Sequence, residues 1–462
     1  MLKILRQDKS SYRQLFALAV PILLQNLISS SLGLVDTFMV GMLGQDELAA
    51  LSLANAPFFV AMLFVFGLQS GGSVLISQYW GKQDITTINR VMGISFYCAG
   101  ALSFLFASAV FIFPNEIMSI TSNNDVLVDI AARYGRVVAY SYFINSVVMV
   151  YIGAQRSIEN AKFGMIVLGS SMLSNVFFNW VFIFGKLGFP AMGVEGAALG
   201  TLLARVVELI IAIIYMIFFD KRLPIKIKAF FMPGVVILRD FIKYATPVVI
   251  NETLWGLGVS IYPIIYGHMA DSSDIVAGFS VAGNIERILA VTCFAIANAA
   301  AVIIGKSVGS GESRERVEER GKWLLTLTVV CGFCTAIILV LATVFIAKPF
   351  VFPLFNLSPN SQRIAAAMLF TMAGFSIMRF YNTCMIVGVL RGGGDVKYGM
   401  YLDVTALYGY AVPIAAISAL VLHWDITIVF ALLSAEELFK MVGGLARMRS
   451  GKWIRNVTRE FV

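Results

Sequence analysis

The sequence predicts an all-α polytopic membrane protein, with twelve transmembrane helices in two six-helix bundles related by pseudo-two-fold symmetry along the membrane normal. Three observations lead there. The composition is that of a protein interior, apolar segments of membrane-spanning length recur at regular intervals, and the two halves of the chain repeat each other.

Of 462 residues, 59% are hydrophobic and 13% charged, about half the charged share of an ordinary soluble domain. The 35 Lys and Arg and 27 Asp and Glu are too few to clothe a soluble surface of this length. A cytosolic enzyme, a nucleic-acid binder and a disordered scaffold are excluded on that ground, and a lipid bilayer is the expected surrounding. The net charge of +8 then reads as cytoplasmic loops held by the positive-inside rule rather than as a polyanion site. Cys98, Cys293, Cys331, Cys334 and Cys384 all sit in apolar stretches. The Cys331/Cys334 pair, in LTVVCGFCTAIIL, reads as small hydrophobic filling. His268 and His423 are too isolated for a metal site. The apolar run after the basic N-terminus is too long for a signal peptide, so no cleavage is expected.

Spans fall at 14–40, 51–78, 91–113, 127–155, 162–185 and 195–219, then at 238–268, 279–308, 322–346, 360–390, 397–421 and 426–446. The connections alternate in charge. One side, which holds both termini, carries 26 of the 35 basic residues and the other carries five, so both termini are expected in the cytoplasm. Trp80, Trp323, Trp424 and Trp453 lie near span ends, where interfacial anchors are expected.

Residues 12–21 (YRQLFALAVP) match 238–247 (LRDFIKYATP) at an offset of 226. Residues 51–84 match 279–312 at 228, and QRSIENAKFGM (155–165) matches LRGGGDVKYGM (390–400) at 235. Six spans per half give both halves the same orientation, the parallel-repeat layout of secondary transporters. The expected division is a lobe over 1–219, a cytoplasmic linker over 220–237 and a second lobe over 238–462. No GxxxxGK[ST] loop is present, so the chain carries no ATPase of its own and no cofactor is expected.

With the two lobes, the first-span LVDTFMVGMLG, the second-span GGSVLISQYWGK, its counterpart GKSVGSGE and the LRGGGD loop, nearly the whole chain resembles the multidrug and toxic compound extrusion (MATE) family. The resemblance implies two bundles set in a V. It also implies export of amphipathic organic cations in exchange for Na⁺ or H⁺. A monomer in the plasma membrane is expected.

An ionisable group inside the bilayer is expensive and so marks a candidate site. Asp36 lies in span 1, with Gln25 and Ser29 on its face. Ser171, Asn175 and Asn179 in span 5 are four apart and share a face, and Thr201 opens span 6. An acid, two amides and a hydroxyl can ligate Na⁺ through hard oxygens or surround a protonatable carboxylate. The resemblance implies the same set, with Asp36 as central acid and Asp36, Asn175 and Asn179 as the Na⁺ ligands. Some family members carry a second acid where this chain has Asn179.

The second half holds Glu252 in span 7, Glu286 and Arg287 in span 8, Arg379 in span 10 and Asp403 in span 11. The repeat sets Glu252 against Asn26, so the lobes are chemically unequal. The resemblance places a coupling acid at Glu252. Asp403 is a second candidate, with Arg287 and Arg379 expected to pair with these acids or to hold the helices together. Trp255, three residues after Glu252, is placed to stack on a cationic drug. Glu208 and Glu437 read as snorkelling acids without a role. Two other readings stay open: a flippase for a lipid-linked precursor, and a membrane-embedded enzyme such as a glycosyl or acyl transferase. The excess of acid over base in the spans favours cationic cargo over the pyrophosphate that a flippase must hold.

Overall fold

A computed structural model describes residues 8–460 of the chain. The long helices are α1 (Lys9–Gly41), α2 (Gln45–Gly81), α3 (Ile85–Ile112), α4 (Asp125–Ser157), α5 (Ala161–Phe184), α6 (Gly193–Phe219), α7 (Val235–Gly267), α8 (Ser272–Gly309), α9 (Arg314–Leu354), α10 (Pro359–Leu390) and α11 (Val396–Val421). Each of these eleven is long and apolar enough to cross a membrane. The predicted twelfth span is interrupted. A turn at Ala435 divides it into α12 (Ile426–Ser434) and α13 (Glu436–Ser450), and Glu436, Glu437 and Lys440 follow the turn. No strand occurs among the described residues.

Helix starts follow the local chemistry. Asp84 caps α3 by accepting the Thr87 N–H at 2.9 Å, and Asn124 caps α4 through Val126 at 3.0 Å. Gly185 ends α5 in the left-handed region at φ 64°, a conformation glycine adopts without strain. Several helices are π-wound in part, over Tyr215–Phe219, Thr343–Val351, Cys384–Leu390, Leu407–Ala411 and Ile417–Val421. Pro349 and Pro413 supply no N–H to the regular ladder, which accounts for a shifted pattern beside them.

Contacts divide the chain into two compact units. One is Val20–Val249; the other joins the stretch through Ala19 to Ile250 and beyond. The units therefore change inside α1 and α7 rather than in the 220–237 connection. Both changes fall within three residues of the repeat-equivalent Pro21 and Pro247. These helices run unbroken while their two ends bury against different neighbours. In the first unit, a Cβ on Gly71 would meet the Ala245 backbone of α7 at 2.4 Å. In the second, Tyr12 of α1 meets Trp323 of α9 edge to face at 5.3 Å.

The 220–237 connection is docked on the first unit. Asp220 accepts from the Arg222 and Leu223 N–H groups at 3.1 and 3.0 Å and from the Tyr151 hydroxyl at 2.7 Å. Asn89 bonds the Pro224 carbonyl and the Lys226 N–H, both at 3.1 Å.

The internal repeat is visible in the packing. A Cβ on Gly153 of α4 would strike Gln69 of α2 at 2.4 Å, and one on Gly388 of α10 would meet the Ala297 carbonyl of α8 at 2.9 Å. Gly153 and Gly388 are 235 apart and Gln69 and Ala297 are 228 apart, the two offsets of the sequence matches. Glycine at such crossings lets helices approach closely inside a bilayer, where no hydrophobic force draws them together.

Two of the four tryptophans expected as interfacial anchors are core residues instead. Trp323 is 1% exposed and Trp453 0%. Residues 451–457 fold back onto the second unit and bring the Trp453 ring against Gly321 and Gly393, while Tyr12 lies edge to face on the Trp323 ring, neither of which sequence position alone reveals.

Candidate functional site

In the first unit, α1, α5 and α6 bring the predicted polar set together. Asn179 donates its amide to Asp36 Oδ1 at 2.6 Å and to Asn175 Oδ1 at 3.1 Å. Asn175 in turn donates to the Thr201 hydroxyl at 3.4 Å, and Tyr134 of α4 reaches the same hydroxyl. The four-residue spacing on α5 produces this chain of contacts, because it stacks the two amides on one face. Gly200 makes room for it: a Cβ there would lie 2.2 Å from Asn179 Oδ1. Asn175, Asn179 and Ser171 are buried, while Asp36 is half-buried.

The cluster has acceptor capacity to spare. Asn179 Oδ1 and Ser171 Oγ are buried oxygens without a hydrogen-bond partner. Among the described residues no Lys or Arg pairs with Asp36. Arg205, the base in the neighbouring turn of α6, is bonded to Glu208 at 2.5 Å. Glu208 is 0% exposed, so it is a buried counter-ion and not a snorkelling acid. A carboxylate with orphaned oxygens beside it and no base of its own is suited to a proton or a small hard cation. No group of three His, Cys, Asp or Glu that could hold a metal occurs among the described residues.

Gln25 does not join this cluster. It donates to the Ala161 carbonyl at the start of α5 at 2.5 Å. Eleven residues along a helix is about 16 Å, so sharing a helix face with Asp36 is not enough for contact. Gln25 fastens α1 to α5.

The second unit pairs its charges differently from the expectation. Glu252 of α7 binds Arg391 at 2.5 Å. Asp403 binds Lys440 at 2.8 Å, and Lys440 also reaches Glu436 at 3.3 Å. Arg379 binds Glu286 at 2.7 Å. So neither Arg287 nor Arg379 holds Glu252 or Asp403. Arg287 follows Glu286 directly, points about 100° away around the helix and is exposed. Glu437 accepts from Asn382 at 2.7 Å and so has a partner inside the unit, where the sequence suggested a snorkelling acid. Trp255 is partly buried against the apolar core of the unit.

Sequence reasoning missed Tyr134, Arg391, Glu436 and Lys440. Arg391 looks like one more basic loop residue, and Lys440 falls inside the expected span 426–446 without any signal in the sequence that pairs it with Asp403 or Glu436.

The MatE family model matches residues 21–181 and 247–417. The chain is 25% identical to the uncharacterized transporter YisQ of Bacillus subtilis, covering 96% of this chain and 95% of that protein. It is 24% identical to the probable multidrug resistance protein NorM of Thermotoga maritima, covering 97% and 95%. Among solved structures, MATE in a bent conformation superposes with a TM-score of 0.83 at 20% identity, covering 98% of this chain and 96% of that one. A MOP superfamily transporter from Pyrococcus furiosus gives 0.82 at 21% identity, covering 98% of each.

Proposed function

The chain belongs to the MatE family, a family of multi-pass membrane transporters and not of enzymes, and we propose that it exports amphipathic organic cations in exchange for Na⁺ or H⁺. The plasma membrane is the proposed location and a monomer the proposed unit. The Asp36 cluster carries this reading: an acid that no Lys or Arg among the described residues pairs with directly, joined to Asn179, Asn175 and Thr201, with buried oxygens left over. The relatives described as probable multidrug resistance proteins support drugs as the cargo.

An ion entering from outside binds Asp36, repacks α1 against α5 and α6, and lowers affinity for the cargo. Glu252 and Asp403 supply cation-attracting charge in the second unit. Purified protein in vesicles, under Na⁺ and H⁺ gradients imposed separately, should expel an organic cation under at least one of them. Equal efflux with no ion gradient at all refutes the coupling.

Orientation has its own test. Single cysteines placed at Lys9 and Ser272 should react with an impermeant thiol reagent in intact cells only at Ser272, since 26 basic residues against five hold the Lys9 side inside. Labelling at Lys9 inverts the topology.

A further inference from the structure

The Glu252 partner is itself anchored by the end of the chain. Arg391 opens the sequence Arg391-Gly392-Gly393-Gly394-Asp395, and its side chain is 5% exposed against 13% for Glu252. Each glycine of that loop touches backbone that leaves no room for a side chain. A Cβ would lie 2.6 Å from the Ala301 carbonyl at Gly392, 2.6 Å from the Trp453 carbonyl at Gly393 and 2.6 Å from the Arg455 carbonyl at Gly394. The Arg455 N–H donates to the Gly393 carbonyl at 2.7 Å. Asp395 is buried and is held by Arg447 at 2.6 Å and Arg455 at 3.2 Å. Residues 451–457 thus form a clasp over the loop, with the Trp453 ring as its centre.

The repeat shows that this pairing is particular to one half. Arg156 stands where Arg391 does, 235 residues earlier, and is buried as well. Asn26 stands in the place of Glu252, 226 residues earlier, and is neutral. The arginine is common to both halves, and the acid facing it is not. A fixed structural pair needed in both lobes would keep both members.

We propose that Arg391 is a tethered cation that occupies Glu252 when no transported cation is bound, and that the 451–457 clasp sets how firmly Arg391 is held there. An arriving organic cation then competes with a guanidinium for one carboxylate. A buried carboxylate is tolerated only with a cation beside it, so Glu252 exchanges one cation for the other and never stands uncompensated. Releasing the cargo restores the Arg391 pair, which drives release.

The proposal rests on the cationic-cargo reading, and tetraphenylphosphonium binding to the full chain in nanodiscs separates the two. Arg391→Gln should tighten binding about tenfold, because the competitor is gone. In a Glu252→Gln background the same change should have no effect. Asp395→Asn loosens the clasp while leaving both members of the pair, and should tighten binding about threefold. The proposal is overturned if Arg391→Gln binds as wild type or more weakly, or tightens binding equally without Glu252. Should Arg391→Gln fail to fold, Asp395→Asn decides, and unchanged affinity there overturns it. If wild type and variants all fail to bind the probe, the cationic-cargo reading falls and the proposal with it.

Discussion

Asp36→Asn should give a folded protein that no longer concentrates its cargo. The substitution keeps size and keeps an oxygen to accept the Asn179 amide, which lies 2.6 Å from Asp36 Oδ1. It removes the only acid of the cluster, and no base is left stranded, because Arg205 is held by Glu208. One-for-one exchange of monovalent cations moves no net charge, so the driving force is the coupling ion's own gradient, and a tenfold ion gradient contributes about 1.4 kcal/mol, equivalent to about tenfold accumulation. The expected result is therefore melting behaviour like that of wild type together with loss of about tenfold concentrative transport under an imposed ion gradient of about tenfold. Glu252→Gln, measured in parallel, identifies the coupling unit. If Asp36→Asn transports normally while Glu252→Gln is folded and dead, coupling runs through the second unit.

Lys440→Met should damage stability more than any single change in the Asp36 cluster. Lys440 is 7% exposed and serves two acids, Asp403 at 2.8 Å and Glu436 at 3.3 Å. Removing it strands both in a buried setting, and breaking a buried pair costs about 3–5 kcal/mol. Asp403→Asn should cost less, since Lys440 keeps Glu436. Thermal melting in detergent checks the order: Lys440→Met lowest, Asp403→Asn between, Asp36→Asn near wild type. A Lys440→Met protein as stable as wild type means that these acids are compensated by something other than Lys440.

The two halves of the candidate site differed in how legible they were. Asn175 and Asn179 are four residues apart on one helix, and that spacing alone places them in contact. Asp36 and Thr201 lie on other helices; their polar chemistry inside the spans put them in one candidate set, the family resemblance implies the same set, and the fold brings them into contact with the pair. In the second unit matching charges by span gave the wrong pairs. Glu286 and Arg287 are adjacent in sequence, yet only Glu286 turns inward to Arg379. Glu252 finds its base 139 residues away, in a glycine-rich loop whose position depends on the chain end folding back over it.

The sequence by itself determined the membrane setting, eleven of the helices, the repeat and the family. These follow from composition, run length and collinear matches, all of which are properties of short segments read in order. Tertiary structure decided the ion pairs, the break at Ala435, the change of packing partner inside α1 and α7, and the burial of Trp323 and Trp453. Those depend on which residues distant in the chain meet in space. For a charge inside a bilayer that meeting matters most, because a buried ion is tolerated only beside its partner.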